Sequence, residues 1–450
     1  MNVILPLVIA VLAVHQPPVA PRPEQPGAVI SAVSAQRIKA DVEKLASFGT
    51  RHTLSDTVSE TRGIGAARRW IKAEMESYGG SLQVAFEEFE APPSPRLRDG
   101  AKVVNVVAML AGTMPEAGKR AYYVVGHYDS RNGEAMDAVG DAPGANDDGS
   151  GTALVMEIAR VLAAQPLEST VVFLCTAAEE QGLIGAKFHA DNAALLKGQE
   201  VRGVLSNDIV GDPYGARERS EAGDDSPRWR VRVFSEGLPR NPSAEELARI
   251  RSLGAESDGA GRQLARYIAE VARWEETRVQ PALVFRLDRF LRGGDHSAFA
   301  ERGFPAVRFT VPFEDYSRQH ANVTQRDGKP YGDVPEFVDA EYLADVTRLN
   351  AAALVHLANA PSVPGKVRVI TAALATNTTL RWEKSPEPDV AGYEVVWRAT
   401  TSATWEHSKD VGDATEVTME ESKDNVFFGV RAYDKDGYRS PVGFAGAAAE

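Results

Sequence analysis

One cysteine, Cys175, occurs in 450 residues, so no intrachain disulfide can form and the fold must hold without covalent bridges. Its apolar neighbours Val171, Val172, Phe173 and Leu174 point to a buried strand and an inert thiol. Positive charge is also short. Lys and Arg total 50 against 63 Asp and Glu, a net charge of −13, which repels polyphosphates and argues against nucleic acid as a partner. The apolar run from Val3 to Val14 has 12 residues, far fewer than the roughly 20 a membrane-spanning helix needs. No membrane span is expected. Histidine is scarce, with eight in the chain. The remaining composition, 43% hydrophobic and 25% charged, is that of a folded, soluble protein. At roughly 100–200 residues per domain, the length predicts two or three domains.

The run Val3 to Val14 fits the core of a signal peptide, although no Lys or Arg precedes it. Residues 1–20 are therefore expected to be removed, with cleavage between Ala13 and Ala20, and the protein to be secreted or periplasmic. Proline recurs from Pro17 to Pro26, so residues 21–28 are expected to form an extended spacer and the fold to begin near Val29.

Ile38, Val42 and Leu45 recur at helical spacing, and a second helix is expected from Ala66 to Tyr78, stopped by Gly79 and Gly80. Strand-like runs follow at Leu82–Phe89, Val103–Leu110, Tyr122–Val125, Thr170–Cys175, Val204–Val210 and Pro305–Val311. They alternate with helical patterns, one of which starts near Gly149. This alternation predicts an α/β fold, a mixed central sheet with helices on both faces. The polar stretch 211–261 reads as an insertion, although Trp229, Val231 and Val233 alternate with Arg228, Arg230 and Arg232 as a half-exposed strand would. A last helix is expected over Ala340–Asn359, closing a domain of residues 29–360. Pro361 to Pro364 then reads as a linker.

Beyond the linker the pattern changes. Tyr393, Val395 and Trp397 alternate with Glu394 and Arg398, and turn signals recur. The segments TLRWEKSPEPDVAGYEVVWR and FFGVRAYDKDGYRSP resemble a fibronectin type III domain over residues 363–450, which implies a small all-β sandwich. Phe428 stands where such domains carry a corner tyrosine. The module is expected to bind polysaccharide or protein, or to space and stabilise its neighbour, and to be separable from any catalysis.

Five short segments carry chemistry. In GHYDS, His127 follows an apolar strand, and Asp129 is placed to fix its tautomer. GANDDGSG puts Asp147 and Asp148 ahead of an apolar helix, where acidic groups also serve as caps. AEEQGLIG ends the Cys175 strand on Glu179 and Glu180, an adjacent pair that needs a cation or a proton to relieve it. SNDIVG places Asp208 at another strand end, and DYSRQH supplies His320. His127, Asp147, Glu180, Asp208 and His320 stand 20, 33, 28 and 112 positions apart. Each lies at or past a strand end, where an α/β sheet binds ligands. Imidazole with carboxylate and no thiolate suits zinc in an open site, and a shared carboxylate suits a metal pair.

On these motifs, the chain from about Ile38 to Asn359 resembles the two-zinc aminopeptidase family that also holds glutamate carboxypeptidase and glutaminyl cyclase relatives. The resemblance implies two zinc ions per chain, with Asp147 bridging, His127 and Asp208 completing one site, and Glu180 and His320 the other. It makes Glu179 the general base that activates a metal-bridging water and later protonates the departing amine.

Some positions depart from the family's pattern. Gln319 stands where several relatives have a tyrosine that supports the oxyanion, so either Gln319 or Tyr316 is expected to serve there. GGDHSAF matches a family motif, which implies that Asp295 and His296 line the cleft or form a structural turn. Arg292 lies one residue off the position at which some relatives orient the substrate terminus. His52, His189, His356 and His407 lack such contexts and read as surface or packing residues. The expectation is a zinc exopeptidase acting on peptides, foremost an aminopeptidase. Arg286, Arg289, Arg292, Arg308 and Arg318 keep open a carboxypeptidase or dipeptidase of the same fold. A catalytically silent binding protein is the alternative of another class.

Overall fold

The computed structural model describes residues 23–192, 198–215, 226–372 and 374–448. The expected signal peptide lies outside them. The expected spacer over 21–28 is overturned from Gln25 onward: helix α1 spans Gln25–Ala32 with Pro26 in its first turn. A proline there forfeits no intrahelical bond, and its fixed φ suits the helix. Pro26 and Val29 are both buried, so the fold begins before Val29. Helix α2 (Ala35–Ser47) is capped by Ser34, whose side chain accepts from the Arg37 N–H, and it buries Ile38, Val42 and Leu45 along one face. Helix α3 spans Gly63–Ser77.

Next come β1 (Gln83–Ala91), β2 (Ala101–Leu110), β3 (Arg120–His127), α4 (Gly149–Leu162), β4 (Thr170–Thr176), α5 (Ile184–Asn192), β5 (Glu200–Asn207) and β6 (Arg230–Ser235). Then follow α6 (Ala244–Ser252), α7 (Ala260–Trp274), β7 (Gln280–Val284), α8 (Asp295–Ala300), β8 (Ala306–Thr310), the short strands β9 (Thr324–Arg326) and β10 (Lys329–Tyr331), and α9 (Ala340–Asn359). Strands β1 to β8 form one mixed sheet in the order β1-β2-β4-β3-β5-β8-β6-β7. Its centre, β4-β3-β5-β8, is parallel. Every residue of β3 and β4 is buried, as helices on both faces require, which is why these strands read as apolar runs. The chain moves from β3 to one side for β4 and to the other for β5. A ligand crevice forms past the carboxyl ends of strands at such a reversal.

The stretch 211–261, expected as an insertion, contributes a strand to the central sheet. Residues 216–225 lie outside the described part, but β6 pairs with β7 and β8 and α7 begins within the stretch. Its polarity has a physical cause: β6 lies near the sheet edge and exposes Arg230 while burying Val231 and Val233, and α6 buries only Ile250.

The carboxyl-terminal strands are β11 (Gly365–Ile370), β12 (Thr378–Glu383), β13 (Val390–Ala399), β14 (His407–Gly412), β15 (Glu416–Met419), β16 (Val426–Asp434), β17 (Gly443–Phe444) and β18 (Gly446–Ala448). They form two four-stranded sheets around Leu380, Trp382, Tyr393, Val395, Phe428 and Val430. Phe428 contributes its ring to this core rather than a corner hydroxyl.

The module is anchored by buried charge. Asp258 accepts from Arg398 Nη2 at 2.8 and 2.9 Å and from Arg266 Nη1 at 3.0 Å, and all three side chains are buried. Arg431 pairs with Glu270 of α7 at 2.9 Å, and the Tyr267 hydroxyl donates to the Arg439 carbonyl at 2.6 Å. Arg120, at the start of β3, pairs with Glu387 at 3.1 Å. Gln25 of α1 accepts from Asn359 at 2.9 Å and Tyr438 at 3.1 Å, joining the first helix, the last helix and the module. The expectation of a separable module therefore conflicts with its interface. Removing Asp258 would leave two buried guanidinium groups unanswered, and breaking a buried ion pair in this way costs about 3–5 kcal/mol. Asp258→Ala should lower Tm markedly in calorimetry, and truncation after Ala360 should yield protein that aggregates when purified.

Candidate metal centre

Strand β3 delivers His127 to the crevice. Its Nδ1 lies 3.1 Å from the main-chain carbonyl of Asp129, an acceptor only, so Nδ1 carries a hydrogen, and Nε2 faces the crevice. The Asp129 carboxylate is farther from that nitrogen, at 3.6 Å. It instead accepts the backbone N–H groups of Glu179 and Glu180, each at 3.2 Å. Asp129 thus orients His127 through its main chain and the Glu179–Glu180 turn through its side chain, a correction to the tautomer role expected for the carboxylate.

The loop before α4 splits its two acids. Asp148 is the cap: Oδ1 accepts from Gly151 N–H at 2.8 Å, and Oδ2 accepts from the His127 N–H at 3.1 Å. Asp147 faces the crevice. Its Oδ1 lies 3.2 Å from His127 Nε2, and its Oδ2 lies 2.9 Å from His320 Nε2. Asp208, next after β5, brings Oδ1 to 3.9 Å from His127 Nε2, and Glu180 brings Oε1 to 2.9 Å from His320 Nε2. Two donor sets result, His127–Asp147–Asp208 and Asp147–Glu180–His320, sharing Asp147.

These residues fit a pair of metal ions. Glu180 Oε1 and Asp208 Oδ1 are buried with no hydrogen-bond partner, an arrangement that is costly unless a cation answers it. Burial opposes the protonation of His127, yet Glu179, Asp129 and Asp147 hold its pKa well above the usual value. The cluster is therefore short of positive charge. Nitrogen and carboxylate donors without thiolate suit zinc in an open site.

Glu179 sits three residues past β4 and lines an open cleft of about 450 Å³ together with Asp147, Glu180, Asp208, Gln319 and His320. Burial pushes its carboxyl well above the ordinary range, and Glu180, Asp208 and Asp295 add to this against His127. Gln319 reaches inward, donating from Nε2 to Asp147 Oδ2 at 2.9 Å. Tyr316 is 64% exposed and does not line the cleft. Asp295 and His296 also fall outside it: both are buried beneath, Asp295 accepting from Thr176 Oγ1 at 2.5 Å and His296 Nε2 lying 2.9 Å from the Leu287 carbonyl. Burial raises the Asp295 pKa to about 6 and lowers that of His296 to about 4. Arg292 does line the cleft. His52, His189 and His356 are buried packing residues and His407 is exposed.

Four residues not singled out from the sequence hold the centre in place. Asp333 accepts the backbone N–H groups of Asn146 at 2.8 Å and Asp147 at 2.7 Å. Buried Arg51 donates to the carbonyls of Leu45 at 3.0 Å, Tyr128 at 2.6 Å and Gly144 at 2.9 Å. Arg131 Nε pairs with Glu180 Oε2 at 2.9 Å, and its Nη2 lies 2.6 Å from His320 Nδ1. Arg308, which the sequence offers only as one of several arginines near the motifs, brings its Nη2 to 2.8 Å from Asp208 Oδ2. Their local sequence carries no distinguishing signal, because each acts through contacts remote in the chain. Backbone strain also collects here. Ala178, Leu183, Ile209, Leu291 and His320 are non-glycine residues with φ between 58° and 61° or, for His320, 52°, and each adjoins or lines the cleft.

The Peptidase family M28 model matches residues 105–333, a span that contains all five candidate ligands and Glu179. A probable zinc metalloprotease of Leptosphaeria maculans is 44% identical over 431 residues, covering 94% of this chain and 97% of the relative. A probable zinc metalloprotease of Pyricularia oryzae is 45% identical over 428 residues, covering 92% of this chain and 83% of the relative. Among solved structures, the LapA aminopeptidase of Legionella pneumophila shares the fold, with a TM-score of 0.51 at 18% identity over 77% of this chain and 78% of LapA. By the family model and by its identity to these relatives, the chain belongs to peptidase family M28.

Proposed function

We propose that this peptidase is a two-zinc exopeptidase that releases residues from the amino termini of peptides, exported from the cell by its apolar leader. The observation that carries the reading is Asp147, whose two oxygens face two separate donor sets. Zinc bound there would polarise the scissile carbonyl and stabilise the charge that develops on it. The protein's own residues do the rest. Glu179, whose carboxyl burial holds above the ordinary range, accepts a proton from the attacking water and delivers it to the departing amine, the task of a general base. Arg308 on Asp208 and Arg131 on Glu180 hold one oxygen of each ligand and leave the other for the ion. The amino-terminal preference is supported by the shared fold of the LapA aminopeptidase. The arginines along the cleft favour a second reading, a carboxypeptidase or dipeptidase that holds a terminal carboxylate.

Metal analysis of purified protein, with hydrolysis of aminoacyl anilides and of amino-terminally blocked dipeptides, should show about two zinc per chain and chelator-sensitive turnover of the free-amine substrates. Cleavage of blocked dipeptides alone would select the second reading; no metal and no turnover would indicate a silent binding protein. Glu179→Gln should retain metal and fold while kcat falls by on the order of 10²–10⁴; an unchanged kcat would remove Glu179 from the mechanism. Asp147→Ala should lose metal and activity together, and a fully loaded variant would rule out the bridge. Amino-terminal sequencing of the exported protein should begin between residues 14 and 21.

A further inference from the structure

The cleft wall carries more positive charge than the metal ligands need. Arg96, Arg131, Arg289 and Arg292 all line it, in a chain whose net charge is −13. Two of them are answered: Arg131 by Glu180 at 2.9 Å, and Arg289 by Asp288 at 3.1 Å and by Glu314. The other two pair with no carboxylate among the described residues. Arg292 Nη2 donates to Gln319 Oε1 at 2.8 Å, and its Nη1 lies 3.4 Å from His320 Nδ1. Arg96 Nη1 donates to the main-chain carbonyl of Glu180 at 2.6 Å. A guanidinium offers five N–H donors in a planar fork suited to a carboxylate, so both keep donors free. The backbone just before Arg292 is held at an unfavourable φ of 58° on Leu291, a residue wholly exposed at the cleft rim.

We infer that Arg292 and Arg96 select peptides bearing a carboxylate close to the scissile bond. The distance follows from what each guanidinium touches. One contacts the side chain of candidate ligand His320, the other the main chain of candidate ligand Glu180. An extended peptide advances about 3.3–3.6 Å per residue, so a group held by either arginine lies within one or two residues of the bond being cut. The carboxylate is an acidic side chain or the free carboxyl end of a short peptide. The inference rests on the exopeptidase reading and refines it.

Four matched free-amine peptides separate the sources: Ala-Gln-amide without a carboxylate, Ala-Glu-amide and Glu-Gln-amide with one on a side chain, and Ala-Gln with a free carboxyl end. At least one charged peptide should exceed Ala-Gln-amide about tenfold in kcat/KM, chiefly through KM, as a charge-assisted pair predicts. Which peptide does so names the source. Arg292→Gln and Arg96→Gln should each narrow that ratio, the double variant should bring it near one, and salt should weaken it. In Glu179→Gln, calorimetry should give the same ranking of Kd without turnover. Equal kcat/KM across the four peptides, or a preference that survives the double variant, would overturn the inference. If only amino-blocked peptides are cleaved, the aminopeptidase reading falls, and the same ratios measured on the blocked set decide the role of the arginines.

Discussion

Asp147, Glu179, Glu180 and Asp208 meet in one cleft, and the gathering of these carboxylates is the constraint around which the metal centre is built. Like charges brought together out of water raise one another's pKa values unless cations answer them. The chain supplies part of the answer, Arg308 against Asp208 and Arg131 against Glu180. It leaves Glu180 Oε1 and Asp208 Oδ1 without a hydrogen bond. Metal bound at the two donor sets that share Asp147 would supply the remainder.

Such a cluster persists only if its backbone cannot relax. Most of the fixing is done through main-chain groups. Asp333 and Arg51 clamp the loop that carries Asp147, Asp129 clamps the Glu179–Glu180 turn, and Asp148 joins His127 to the start of α4. Parallel strands buried on both faces provide a base rigid enough to hold several residues in the left-handed region around the cleft. The carboxyl-terminal module braces the same sheet from the other end. Arg120 begins the strand that His127 completes, and its pairing with Glu387 ties the module to the amino-terminal end of that strand. Buried ion pairs of this kind hold two surfaces in a fixed relation, because a displaced partner leaves a charge stranded.

Much of this is legible in the sequence, for identifiable reasons. The parallel strands betray themselves as apolar runs, and helix α9 has the bounds that its pattern implies. The five candidate ligands and Glu179 stand out because acidic residues and histidine at the ends of such runs have no packing reason to be there. Errors arose where one residue type serves two purposes. Proline from Pro17 to Pro26 reads as a spacer, yet Pro26 opens a helix. The polar stretch 211–261 reads as an insertion, yet a near-edge strand needs only one apolar face. Asp295 and His296 read either as cleft residues or as a structural turn, and both are buried.

The local pattern determined which residues are candidates for the chemistry and that they sit past strand ends, since side-chain periodicity and charge placement are properties of neighbours along the chain. Tertiary structure decided which of Asp147 and Asp148 faces the crevice, that Gln319 rather than Tyr316 reaches it, and which arginines are neutralised and which stay free. It also decided that the carboxyl-terminal module is bolted to α7 and β3. Those outcomes depend on partners brought together across more than a hundred residues of chain, as Asp147 meets Gln319 and Asp258 meets Arg398, and no local pattern encodes a distance of that kind.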